Sequence, residues 1–113
     1  MICQLSSSVL SQENLQEKIF KLTLSSSLIS KKAEPGNFVH IKVNSNHYPL
    51  LRRAFSIHSV RKDKGEFEIL FKVVGKGTEI LSRKSSGDTL DILGPIGNNF
   101  SLPKKGKEIM LVA

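Results

Sequence analysis

At 113 residues the chain has room for one domain with a single hydrophobic core, and not for two. Hydrophobic residues make up 39% and charged residues 24%, which excludes a fibrous or disordered chain, and no apolar run approaches the roughly 18 residues that a membrane-spanning helix needs. The 17 lysines and arginines outnumber the 10 acidic residues for a net charge of +7, which favours an anionic partner (nucleic acid, phosphorylated cofactor or acidic protein) without choosing among them.

The N-terminal Met1-Ile2-Cys3-Gln4 has neither the charged nor the apolar region of a signal peptide, so a cytoplasmic protein is expected. Cys3 is the only cysteine, which rules out an internal disulfide, and it reads as an ordinary strand residue. Next come Phe20–Leu24 and, after the turn Glu34-Pro35-Gly36-Asn37, Phe38–Val43, both alternating apolar with polar residues as half-buried strands do. His40, His47 and His58 lack the spacing of a metal-binding helix, and no metal is expected.

The run Pro49–His58 embeds Arg52-Arg53 among apolar neighbours, unlike the other basic residues, which sit mostly beside turns. Alternation puts Arg53 and Phe55 on one face of a strand and Ala54 and Ser56 on the other. At the strand's start, the Arg53 guanidinium offers planar paired donors to phosphate oxygens, with the Ser56 hydroxyl three residues away. The same pattern also describes an exposed basic strand end.

After the turn Asp63-Lys64-Gly65, Phe67–Val74 is again strand-like, and Gly77–Lys84 reads as a short helix with an acidic residue in its first turn, basic residues in its last and Gly87 beyond. The glycines of Gly75-Lys76-Gly77 would let a phosphate approach the main chain at a helix start, or they simply make a tight strand-to-helix turn. Ser86-Gly87-Asp88, the strand Thr89–Leu93 and the turn Gly94–Asn99 follow. Several short strands at such spacing indicate an all-β domain, an antiparallel barrel or sandwich. Lys107–Ala113 reads as the start of a buried parallel strand, which suggests a fragment from which a following α/β domain has been removed.

Taken in order, three motifs resemble the FAD-binding domain of the ferredoxin–NAD(P)H reductase superfamily, most closely the dihydroorotate dehydrogenase electron-transfer subunits. They are Pro35-Gly36-Asn37-Phe38-Val39, Leu50-Leu51-Arg52-Arg53-Ala54-Phe55-Ser56-Ile57 and Val73-Val74-Gly75-Lys76-Gly77-Thr78; Gly87-Asp88 and Leu93-Gly94-Pro95-Ile96-Gly97-Asn98 extend the match. The resemblance implies a six-stranded antiparallel Greek-key barrel with one short helix over residues 1–103, and a linker with the first strand of a truncated NAD(P)-binding domain over 104–113.

The resemblance also implies roles. Arg53 would pair with the FAD diphosphate, and Ser56 would place a hydroxyl or backbone group near flavin N5. Ala54 and Phe55 would line the isoalloxazine or ribityl path, Leu70, Phe71 and Lys72 would supply backbone contacts, and Gly77 and Thr78 would offer N–H and hydroxyl donors to phosphate. Ala54 stands where the family has proline, which loosens the backbone before Ser56. Asn37 replaces a glutamine at what reads as a less demanding position. NAD(P)H and a two-iron two-sulfur cluster are expected only in the missing C-terminal part, so this chain alone should not oxidise NADH.

The resulting expectation is a flavin module passing electrons between NAD(P)H and an iron–sulfur centre or a partner catalytic subunit. The alternatives are the FAD domain of another NAD(P)H reductase, such as a hydrogenase, sulfide dehydrogenase or hydroxylase component, or a small basic barrel that binds nucleic acid. Against the last, the six phenylalanines and one tyrosine fall mainly at apolar strand positions.

Overall fold

The computed structural model describes residues 2–44, 52–98, 100, 105, 106, 108, 110 and 112. Pro49, Leu50 and Leu51 of the arginine motif, and Lys107, Ile109, Leu111 and Ala113 of the expected last strand, lie outside the described residues. Six strands close into an antiparallel barrel: β1 (Cys3–Gln16), β2 (Ile19–Ser25), β3 (Phe38–Lys42), β4 (Arg53–Arg61), β5 (Glu66–Lys72) and β6 (Thr89–Ile96), paired in the order β1-β2-β5-β4-β3-β6. Two short helices interrupt them, α1 (Ser27–Lys32) and α2 (Lys76–Ser82).

The alternation that marks the strands also builds the core. Leu22 and Leu24 of β2, Val39 and Ile41 of β3, Phe67 and Ile69 of β5 and Ile92 of β6 all point inward and are fully buried. Ile29 of α1 and Leu81 of α2 join the same core. Closing the sheet on itself leaves no strand edge to solvate.

Three features differ from the sequence reading. The helix α1 is additional to the one expected: Ser26 caps it, its Oγ accepting the Ile29 N–H at 3.1 Å, and Ile29 and Ser30 are buried. The strand β1 runs for 14 residues, far beyond Cys3. It reads poorly as a strand because its inward Ser7 is polar, yet that side chain is buried and its hydroxyl donates to the Ser25 carbonyl at 2.6 Å. Finally, Gly94 and Pro95 belong to β6 and not to a turn. A Cβ on Gly94 would come within 2.8 Å of Val39 Cγ1, so the strand passes its neighbour at a distance only glycine allows.

Among the described residues no helix is long and apolar enough to cross a membrane.

Candidate functional site

The two arginines at the start of β4 diverge. Arg52 reaches across to β6, donating from Nη2 to Asp91 Oδ1 at 2.7 Å and from Nη1 to the Asp91 carbonyl at 3.0 Å. Gln4 Nε2 of β1 donates to the same carboxylate at 3.1 Å, so one side chain of β6 ties β1 to the residue that precedes β4. Burial pushes the Asp91 carboxyl up, but the hydrogen bonds from Arg52 and Gln4 and the charges of Arg52 and Lys42 outweigh it and hold the group below its ordinary range. The clasp fixes the chain immediately before Arg53.

Arg53 turns the other way, over the first turn of α2. A Cβ placed on Gly77 would lie 2.7 Å from Arg53 Nε and 3.3 Å from its Cγ and Cζ, so the guanidinium end rests where any other residue would carry its side chain. Two motifs well separated in the sequence thus meet at one point.

The turn into α2 is made by Thr78. Its hydroxyl accepts the N–H groups of Val74 at 2.9 Å and Gly75 at 3.1 Å and donates to the Gly75 carbonyl at 3.2 Å. That engages the hydroxyl, expected as a donor to phosphate, in the turn itself. The first backbone bond of the helix runs from Glu79 N–H to the Gly75 carbonyl at 2.9 Å, and the N–H groups of Lys76, Gly77 and Thr78 precede that ladder.

Beyond Arg53, the outer face of β4 carries Ala54 and Ser56, both exposed, with Leu70 and Lys72 exposed on the adjacent β5. On the other flank β3 pairs Phe38 with Ser56 and His40 with Ala54, and the Phe38 and His40 rings are 5.5 Å apart. The small Ala54 and Ser56 thus form a strip between the Phe38–His40 pair on β3 and Leu70 on β5. Phe55 and Phe71 face the opposite way: their rings meet edge-on at 5.8 Å inside the barrel, and Phe71 stacks on Phe20 at 5.8 Å. To the outer strip these two offer only their backbone.

The expected site residues therefore form one connected region, with Arg53, Gly77 and Thr78 at one end and Ala54, Ser56, Leu70 and Lys72 along the face. A cavity of about 620 Å³ elsewhere, lined by Gln4, Lys42, Lys84 and Asp91 among others, includes none of them.

Asn37 was underrated by the sequence. It is buried, its Oδ1 accepts the Glu34 N–H at 2.8 Å, its Nδ2 donates to the Gly97 carbonyl at 2.9 Å, and its own carbonyl accepts the Ile57 N–H at 3.2 Å. The position is demanding: the side-chain amide joins the turn before β3 to the segment after β6, while the main-chain carbonyl of the same residue meets the middle of β4. The Pro35-Gly36 turn before it was the available signal.

The family described as "Oxidoreductase FAD-binding domain" matches residues 3–101. The chain belongs to this family. Curated relatives of this FAD-binding domain include the dihydroorotate dehydrogenase B (NAD(+)) electron transfer subunits of Desulforamulus reducens, 47% identical over 75% of the chain and 32% of the relative, and of Lysinibacillus sphaericus, 40% identical over 99% and 44%. Among solved structures, one of an NADH-dependent reduced ferredoxin–NADP oxidoreductase superposes with a TM-score of 0.78 at 32% identity, covering 84% of this chain and 34% of that one. A ferredoxin reductase of carbazole 1,9a-dioxygenase, 22% identical with a TM-score of 0.77 over 95% of this chain and 33% of that one, shares the fold. The chain spans less than half the length of the curated relatives it matches.

Proposed function

We propose that this FAD-binding domain holds FAD across the α2 end and outer face of β4 and serves an electron-transfer subunit of the dihydroorotate dehydrogenase type. The observation that carries the reading is the meeting of Arg53 with Gly77, a cradle that a Cβ would fill, at the end of a strip of small exposed residues. The residues present fit the cofactor. Arg53 meets the diphosphate with a charge-assisted, two-pronged donor, and the Gly77 and Thr78 N–H groups add donors to phosphate oxygens. Ala54, Ser56 and Leu70, exposed on one face, would seat the isoalloxazine, with Ser56 offering a hydroxyl or backbone group to it, while Phe55, Phe71 and Lys72 would contribute backbone.

When bound, FAD supplies the hydride and electron transfer, and the chain's residues orient it and balance its charge. The domain occupies residues 1–103, with 104–113 a linker into a nucleotide-binding domain. In the whole protein NAD(P)H and a two-iron two-sulfur cluster belong to that later part, the redox partner is a catalytic subunit, and the protein works in the cytoplasm. The 47% identity to a dihydroorotate dehydrogenase subunit supports this partner over other NAD(P)H reductases.

Titrating the purified chain with FAD tests the core of the reading. A bound-flavin absorbance shift with quenched fluorescence is expected; a chain that leaves the FAD spectrum unchanged sinks it. Mixing the full-length gene product with a dihydroorotate dehydrogenase catalytic subunit tests the finer part. Dihydroorotate-dependent reduction of NAD⁺ is expected, and its absence from a flavin-loaded protein would overturn the assignment of partner while leaving FAD binding intact.

A further inference from the structure

We infer that Gly77 is a positioning residue, which acts on the dinucleotide through Arg53 by lacking a side chain. This rests on the reading of Arg53 as the partner of the diphosphate, and deepens it.

Gly77 lies in the first turn of α2, where nothing in the helix itself requires glycine. Its backbone does not call for glycine, since its φ is outside the left-handed region. What does call for it is the side chain above. An added Cβ meets Arg53 Nε at 2.7 Å, closer than real Cβ contacts come, and the two next nearest atoms, at 3.3 Å, also belong to Arg53. Gly75, two residues earlier, differs: a Cβ there meets nothing within 4 Å.

The neighbour in the way is the far part of a flexible side chain, so a methyl group at position 77 displaces the guanidinium and leaves the helix in place. The Arg52 clasp on Asp91 holds the backbone immediately before Arg53, and Gly77 holds the other end of the arginine by giving it a flat floor. Backbone anchored on one side and guanidinium seated on the other define one direction for the donors. The effect of an added side chain at position 77 on ligand affinity then runs through Arg53, the backbone N–H being kept.

A double-substitution cycle with FAD as the probe, Gly77→Ala, Arg53→Met and both together, tests this, with circular dichroism and thermal unfolding as controls. Arg53→Met is expected to weaken FAD binding roughly 10- to 100-fold, as for loss of a hydrogen-bonded charge. Gly77→Ala should weaken it comparably with no loss of thermal stability, and the double variant should bind no more weakly than Arg53→Met alone. In the ligand-free protein, the Nε–H resonance of Arg53, identified by its loss in Arg53→Met, should move in Gly77→Ala.

The inference is overturned if Gly77→Ala binds FAD like the parent chain, if the two losses multiply, or if the Arg53 resonance stays in place. A Gly77→Ala chain without the parent's β-sheet spectrum would overturn it too, because the clash would then involve more than a movable side chain. If instead Arg53→Met binds FAD normally, the diphosphate reading itself falls, a result distinct from a silent Gly77→Ala.

Discussion

The two short helices sit at opposite ends of β5 and are built for different ends. Before the strand, α1 is tied to the β4–β5 turn by Ser26 N–H donating to the Gly65 carbonyl at 2.9 Å, is capped by a serine side chain, and drives Ile29 fully into the core. After it, α2 starts from Gly75 without a side-chain cap of its own, relies on the Thr78 hydroxyl to close the turn, and keeps Gly77 bare beneath Arg53. Both bury one large aliphatic residue, Ile29 and Leu81. The difference lies in the polar chemistry. At α1 the cap's own hydroxyl accepts the Ile29 N–H; at α2 the cap residue has no side chain to accept one, and the first N–H groups lie beside an arginine. One end of the barrel is finished for stability and the other, on the proposed reading, for an anion.

The sharpest way to break that comparison is to damage α1 and look for an effect at α2. Ile29→Ala removes a fully buried side chain and should destabilise the fold by about 2–5 kcal/mol, the usual cost of such a cavity. Chemical denaturation measures it. The folded fraction should still bind FAD with unchanged affinity. Arg53→Lys is the reverse experiment. It keeps the charge but loses the planar paired donors, so FAD affinity should fall severalfold to tenfold while the unfolding midpoint hardly moves. Flavin fluorescence titration beside thermal melts separates the two. A large loss of stability in Arg53→Lys would mean that this end, too, is finished for the fold.

A smaller effect is expected at the cap. Ser26→Ala deprives the Ile29 N–H of its acceptor and should cost about 1 kcal/mol, typical of a lost N-cap, with no change in FAD binding. Unfolding curves of equal slope and shifted midpoint would show it.

How much of this contrast the sequence discloses depends on the range of the interactions. The strands β2, β3, β5 and β6 announce themselves, because an alternating pattern records which face meets the core, and Leu22 or Ile92 needs no distant partner to be recognised. Ser7 in β1 misleads, since its place in the core depends on the Ser25 carbonyl of a neighbouring strand. The run Ser25-Ser26-Ser27 resembles a loop until Ser26 is seen to cap α1. At the site, Arg53, Ser56, Gly77 and Thr78 stand out by type and order, but type alone does not show that Arg53 lies on Gly77, or that Arg52 turns away to Asp91. Asn37 looks tolerant of exchange because the carbonyl that its side-chain amide meets, that of Gly97, lies 60 residues further along the chain.

The last and smallest effect lies between the two helices, on the outer face of β5. The Glu68 carboxylate is buried there, accepting the Ser59 hydroxyl at 2.5 Å, with Arg61 Nη2 at 3.7 Å and Lys21 Nζ at 3.8 Å. The Ser59 hydrogen bond is the largest influence and lowers its pKa; burial opposes, and the charges of Lys21, Arg61 and His58 reinforce the lowering. A carboxyl that ionises more easily in the fold than in the unfolded chain stabilises the fold fully above the ordinary carboxylate range. That contribution is lost as pH falls through the lowered folded value. Ser59→Ala removes the main cause, so its thermal midpoint should lie below the parent's near neutral pH and converge on it in acid, once Glu68 is protonated in both. FAD affinity at neutral pH should not change, although Leu70, two residues along the same strand face, belongs to the proposed flavin strip. If Ser59→Ala weakened FAD binding as well, the middle of β5 would couple the two ends, and the division between a stabilising end and a binding end would have to give way to a single network.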